Sequence, residues 1–393
     1  MANTLLTPTA VTREALRILH QKLNFVSTID RQYDDQFAKT GAKIGDSLKI
    51  RLPNKYTVGT GATITPQDTT ESSVTLQVAT QKHVPIQFSS AEQTMSLDDF
   101  SSRILEPAMS VLAANIEYDV MSNVYKDVYN SVWNGGSAAT LAKVATGRTM
   151  LQKALAPTND RYANLNPQDM QDIITSGATL FNPGSEISKQ YREGFVGRQG
   201  GFDYLENSMW SAHTRGDAAS YVCNTSTGIT SGSNTVTLSG GTGTIKQGDV
   251  FTIAGVFAVH PETRVSTGVL QQFVALADGT TSVTVAPTPI TSGATQTVSI
   301  VGAGASKAVS VFGSASTAVG TSLAYQKGAF VFATADLYLP KDTDFAARET
   351  FDGISMRVAR QWDVTTDKLV TRLDVLYGFK TVRPELAVRL HNN

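Results

Sequence analysis

The chain has 393 residues, 41% hydrophobic and 17% charged, which is enough apolar content for one large core or about two to three smaller ones. Lys and Arg number 33 against 34 Asp and Glu, a formal net charge of -1, so no global basic field marks a nucleic-acid reader and any contact with nucleic acid is local. A single cysteine, Cys223, excludes an intramolecular disulfide framework and a multi-cysteine metal site, and it fits a chain matured in a reducing cytoplasm.

The opening MANTLLTPTAVTREAL carries none of the marks of a secretory signal, and no run of about 18 apolar residues predicts a membrane span. From Thr12, a candidate cap, to residue 28, Leu16, Leu19, Leu23 and Val26 fall at steps of three and four, one apolar stripe on a short helix that needs a partner surface. Between Gly45 and Phe88 the period changes to two. Leu48, Ile50 and Leu52 alternate with Lys49 and Arg51, then Val74, Leu76 and Val78 with Thr75 and Gln77, a hairpin with a Gly/Thr-rich tip from Asn54 to Ser72. A lone two-stranded ribbon is marginal in water, so it is expected to lie on something else.

Apolar residues from Leu105 to Val132 repeat every three to four positions and stop at Asn134-Gly135-Gly136, which predicts a long helix over 101–132 with Pro107 in its first turn or at a kink. Ala138 to Ala156 and Pro167 to Thr175 read as helices separated by turn chemistry over Pro157–Pro167. Thr179 to Pro183 reads as a short strand, Ile187 to Gly194 as weakly helical, and Val196 to Tyr204 as a glycine-rich loop. From Val222 to about Gly302 the composition turns to Thr, Ser, Gly and Val, with strands expected at Thr235–Leu238, Val250–Ile253, Phe273–Leu276, Val283–Val285 and Val298–Val301, a small all-β barrel inserted into a mixed host. Strands at Ala329–Leu339, Gly353–Val364 and from Leu369 onward complete the chain, the last running into Tyr377-Gly378 and Arg383-Pro384-Glu385.

Catalytic constellations are missing. His20, His83, His213, His260 and His391 are scattered and read as surface or partly buried imidazoles, and there is no HExxH, GxxxxGK[ST] or GxSxG motif. No catalytic residue, cofactor or metal site is expected. An enzyme site assembled from distant residues, such as a hydrolase using Asp217 or His213, is the weakest alternative. Arg13, Arg17, Lys22, Lys39 and Lys43 read as solvated helix face with at most modest phosphate contacts.

Several segments resemble, in the same order, the major coat protein of short-tailed, P22-type bacteriophages. They are Leu112-Ala113-Ala114-Asn115-Ile116-Glu117, Phe181-Asn182-Pro183, Gly200-Gly201-Phe202-Asp203, Ile245-Lys246-Gln247-Gly248-Asp249, Ile253-Ala254-Gly255-Val256 and the terminal strand with Tyr377-Gly378 and Arg383-Pro384-Glu385. The resemblance implies an α+β fold, the HK97-type capsid subunit with an inserted β-barrel. Its divisions would be an N-terminal arm (1–42), an extended hairpin loop (43–90), a spine helix of the peripheral domain (91–135), a peripheral/axial region (136–221), the insertion (222–302) and an axial region returning to the peripheral domain (303–393). It implies a non-enzymatic major capsid protein that self-assembles as hexamers and pentamers into the icosahedral head of a tailed phage. Assembly would take place in the host cytoplasm as a procapsid, with a scaffolding protein and a portal as partners. DNA packaging would then fill the shell with double-stranded DNA, contacted weakly and without sequence preference, and no membrane is involved. Inter-subunit contacts are expected at Leu16, Leu19, Leu23 and Val26 in the arm, at Lys49, Arg51, Tyr56, Thr63, Val74 and Leu76 in the loop, and at Arg383 and Glu385 in the terminal turn. On this reading Leu19→Asp leaves the monomer folded and abolishes closed shells. A tail-tube or head-decoration protein is the structural alternative, disfavoured by the long helix.

Overall fold

The computed structural model describes residues 8–33, 46–59, 61–62, 66–67, 69, 71–88, 101–177, 196–302, 304, 306–340, 345–363 and 368–392. Helices and strands are mixed, with strands predominating. The chain divides into two compact units, the first built from Met1–Ile50, Ser73–Met121 and Phe330–Val382, the second from Arg51–Ser72, Ser122–Ala329 and Arg383–Asn393.

The first unit is organised around the strand Lys368–Thr381. One of its edges pairs antiparallel with Thr80–Phe88; the other pairs with Ile354–Asp363 and then with Phe330–Ala335, beyond which lies Asp30–Tyr33 in parallel. The strand Phe345–Phe351 closes a hairpin on Ile354–Asp363. Helix α1 (Pro8–Lys22) covers this hairpin with Val11, Ala15, Leu16, Ile18 and Leu19, all buried. The single arm helix expected over 12–28 is broken, and α2 (Phe25–Thr28) begins anew after Asn24. The cause is Glu117 on α3 (Glu106–Val124), whose buried carboxylate accepts the amide N–H of Asn24 at 3.0 Å, Phe25 at 3.0 Å and Val26 at 2.9 Å. A carboxylate at a helix start answers both the orphan donors and the positive end of the peptide dipoles.

Helix α3 is shorter than the sequence predicts. It ends at Val124, a 3-10 turn covers Tyr125–Asp127, and Val128 is already extended. The segment that follows pairs as Ser131–Trp133 with Ala387–His391, so sheet hydrogen bonds win over helical periodicity.

The Tyr377-Gly378 pair has a local explanation in this unit. Tyr377 is fully buried, stacked on Phe332 with ring centroids 5.5 Å apart, and its hydroxyl donates to Asp119 Oδ2 at 2.7 Å. Burial first, and that hydrogen bond second, push its ionisation upward and keep the phenol protonated. A Cβ at Gly378 would sit 2.2 Å from the carbonyl oxygen of Gln77, so only glycine lets the Ser73–Val78 backbone pass over the strand. Gly378→Ala is therefore expected to cost about 2 to 3 kcal/mol through overpacking against rigid backbone. A urea titration of the purified chain measures it, and an unchanged midpoint would contradict the close approach.

In the second unit a six-stranded sheet runs in the order Ser131–Trp133, Ala387–His391, Thr321–Gln326, Arg161–Leu165, Phe202–Glu206 and Arg198–Gln199. Helix α4 (Leu141–Lys153) packs on it, capped by Thr140, and α5 (Pro167–Gly177) starts after Asn166, whose side chain accepts the Asp169 amide. Two expectations change here. Arg161–Leu165, read as turn chemistry, is a central strand. The glycine-rich stretch read as a loop is a hairpin, because Gly200 and Gly201 both take positive φ and join Arg198–Gln199 to Phe202–Glu206 through a two-residue turn. Thr179–Pro183 and Ile187–Gly194 lie outside the described residues.

A seven-stranded sheet also lies in the second unit. Its order is Val222–Asn224, Ser306–Val311, Val250–Val259, Ser266–Ala275, Ser282–Ala286 and Thr235–Thr237, with Val298–Ile300 also on Val250–Val259. A bridge between Val222 and Ser239 links the two ends. Phe251, Ile253, Phe273, Val283, Val285 and Cys223 are among the side chains of its continuous apolar core. The thiol of Cys223 is pushed up to about 11 by burial and stays an inert hydrophobe. This sheet extends past Gly302, the boundary read from composition, because Ser306–Val311 pairs with both Val222–Asn224 and Val250–Val259.

Candidate functional site

For a chain with no catalytic signature the candidate site is its uncovered surface. Leu16, Leu19, Leu23 and Val26 offer none. They are between 0% and 5% exposed, covered within the first unit, so the stripe is a core element in this conformation and not a face waiting for a neighbour. The basic residues beside it are also engaged: Arg13 with Glu349 at 3.5 Å, Arg17 with Glu14 at 2.6 Å and Lys22 with Glu106 at 3.2 Å. Lys39 and Lys43 fall outside the described residues.

The hairpin behaves differently along its length. Asp46–Arg51 and Ser73–Val78 form a two-stranded sheet of their own, continued by Leu52 N–H donating to Ser72 O at 2.8 Å. At its base Leu76 is fully buried and Val74 half-buried, both facing the first unit's own sheet. Thr80–Phe88, included in the expected loop, is instead a member of that sheet. Towards the tip Lys49 and Arg51 are exposed, Arg51 pairing with Glu71 at 3.2 Å. Every described residue from Pro53 to Ser72 is exposed, Tyr56 at 56% and Val58 at 96%. The Gln67 side chain clips the two arms together, accepting from Thr57 N at 3.0 Å and donating to Thr57 O at 2.6 Å. Thr63 lies outside the described residues.

Arg383 caps the 3-10 turn Pro384–Leu386 and pairs with Glu385 within it at 3.2 Å, both half-exposed. The turn is held by Asn130, whose amide donates to Glu385 O and Ala387 O at 3.3 and 3.1 Å.

The structure also engages residues that sequence reasoning passed over. Glu117 stands out in the sequence only within a family-like string, yet it joins α2 to α3. Asp374 is completely buried and takes Arg357, Arg372 and Gln81 at once, at 2.6, 2.6 and 3.1 Å. Asp249 accepts the amides of Gly216 and Lys246 at 3.0 and 2.8 Å and faces His213 Nε2 at 2.9 Å. Only the spacing of Gly248-Asp249 ahead of a strand hinted at it. Among the described residues no cluster of His, Cys, Asp or Glu has the arrangement of a metal site, and no helix is long and apolar enough to cross a membrane.

Residues 4–391 match the model of the P22 coat protein family, described as P22 coat protein, gene protein 5. The chain belongs to the P22 coat protein family. It is a major capsid protein of a tailed bacteriophage, a subunit of the icosahedral head shell in the virion, and its role is structural. A search of curated proteins finds no match for this coat protein. Among solved structures it is similar to a chain from Mycobacterium phage Che8, at 11% identity and TM-score 0.47, covering 94% of this chain and 90% of that one. It is similar also to the capsid of the cyanophage P-SCSP1u, at 10% identity and TM-score 0.45, covering 94% and 88%. A third likeness is to the virus-like particle from Pyrococcus furiosus, at 8% identity and TM-score 0.42, covering 97% and 98%.

Proposed function

We propose that this coat protein builds its shell from hexamers and pentamers of HK97-type subunits by laying the tip of the ribbon, residues 52–72, on a neighbouring copy. The observation that carries this reading is the tip itself: more than a dozen consecutive described positions without cover from their own chain, Tyr56 and Val58 among them. Two strands alone are marginal in water, and an exposed aromatic beside an exposed valine gains most from an apolar landing surface. Lys49, Arg51 and Tyr56 are its contact residues, with Arg383 and Glu385 forming a second, charged contact at the terminal turn.

The remaining finer features follow from family membership and from charge. The seven-stranded module is the inserted barrel, a reading supported by its separate core and by the Val222–Ser239 bridge. A scaffolding protein and a portal join assembly in the host cytoplasm, and the near-neutral subunit lets double-stranded DNA move into the shell with only weak contacts. No step of this calls for catalysis.

Replacing residues 52–72 by a two-residue Asn-Gly turn tests the reading. The variant should keep the wild-type unfolding free energy to within about 1 kcal/mol, since none of the described residues removed is buried, while sedimentation and negative-stain microscopy show no closed shells. Normal shells from the shortened chain would refute the role given to the tip.

A further inference from the structure

Within the second unit, the seven-stranded sheet meets the six-stranded one through a buried polar joint. Arg389 and His391 lie two residues apart on the strand Ala387–His391, hence on one face, and both are buried. Arg389 donates from Nη1 to Gly248 O at 2.7 Å and lies 5.7 Å from the centre of the Tyr125 ring. His391 sits between the Trp133 ring at 5.8 Å and the His213 ring at 6.2 Å, and its Nδ1 has no hydrogen-bond partner among the described residues. His213 in turn spans the joint, its Nδ1 3.2 Å from the Tyr125 hydroxyl and its Nε2 2.9 Å from Asp249. Gln272 stitches the same boundary, accepting from Ser131 N at 2.7 Å and donating to Ser131 O at 3.0 Å.

The charges facing His391 are of one dominant sign. Arg389 stands on its own strand and His213 and Arg215 on the segment leading into the sheet, while Lys126 and Asp127 belong to the 3-10 turn below Arg389. The carboxylate nearest the joint, Asp249, is already shared among two amides and His213. On the sheet's other contact Asp169 is occupied by Ser322 and by Asn392, at 2.5 and 3.0 Å.

We propose that this joint is a proton-operated latch: the seven-stranded sheet stays docked on the six-stranded sheet while His391 is neutral, and acid loosens it. A proton on His391 would place a second cation beside Arg389 in a buried site. Burial, then Arg389, then His213 hold the His391 pKa well below its ordinary value near 6.5. The closed joint therefore binds fewer protons than the opened one once the pH falls below about 6.5, so docking is strongest above that value and is lost as pH drops towards the depressed pKa.

The test is hydrogen exchange read by mass spectrometry on the full-length chain at about pH 7.5 and pH 5.5, corrected for intrinsic rates. Peptides covering 245–250 and 387–391 should exchange about tenfold faster in acid, the effect of one pK unit, while the strand Ile354–Asp363 keeps its protection. His391→Phe, which preserves a ring against Trp133 and cannot titrate, should abolish the difference, and His391→Gln serves the same purpose in a smaller side chain. Equal protection of the joint at both pH values in the wild type would overturn the proposal even without a variant. So would an acid response that survives in either substitution.

Discussion

Leu19→Asp is expected to unfold the first unit. Leu19 is completely buried on the face of helix α1 that covers the hairpin of Phe345–Phe351 and Ile354–Asp363. Truncating a core leucine costs about 2 to 5 kcal/mol, and a carboxylate in its place adds a burial penalty, so the total should reach about 5 kcal/mol or more. That is comparable to the whole stability of a typical domain. Leu19→Ala should lose about 2 to 5 kcal/mol and still fold. Urea unfolding of both variants measures the series. A Leu19→Asp chain with the wild-type midpoint that nonetheless forms no shells would restore to the stripe the contact role expected from its periodicity.

Glu117→Ala should release α2 from α3. Three amide donors, from Asn24, Phe25 and Val26, would lose their acceptor at the start of α2. An unsatisfied buried donor costs about 1 to 3 kcal/mol, and water entering beside half-buried Asn24 offsets part of that, which leaves about 3 to 5 kcal/mol. Hydrogen exchange at residues 24–29 should accelerate well before the rest of the unit responds. Unchanged protection there would show that packing of Phe25 and Val26 alone holds the arm.

Much of the fold was legible in period and punctuation. The two-residue alternation at Leu48–Leu52 and Val74–Val78 located both ribbon strands, and the change to Thr, Ser, Gly and Val located the seven-stranded sheet and most of its strands. What failed did so for identifiable reasons. Val128 and Val132 continue a helical spacing, but Val128 caps the 3-10 turn and backbone pairing with Ala387–His391 claims Val132, a partner more than 250 residues away that periodicity cannot see. Val196 to Tyr204 reads as a loop for its glycines, although two positive-φ residues between strands are the turn chemistry of a tight hairpin. The arm stripe was correctly seen to need a surface, and that surface proved to be the chain's own hairpin at 345–363. His213 and His391 looked unrelated because they meet only after two sheets have docked. Long-range pairing and the choice between self and neighbour are decided by tertiary structure, and a single sequence carries little record of either.

The strand Lys368–Thr381 has partners drawn from residues 80–88, 330–335 and 354–363, so the first unit lacks its centre until almost the whole polypeptide exists. The seven-stranded sheet, by contrast, is complete within residues 222–311. During synthesis the order of events is thereby set: the module can close while its host still waits, apolar faces open, for a final piece of backbone. Until that last strand is available, the apolar residues it will cover on 80–88, 330–335 and 354–363 stay open to unwanted pairing.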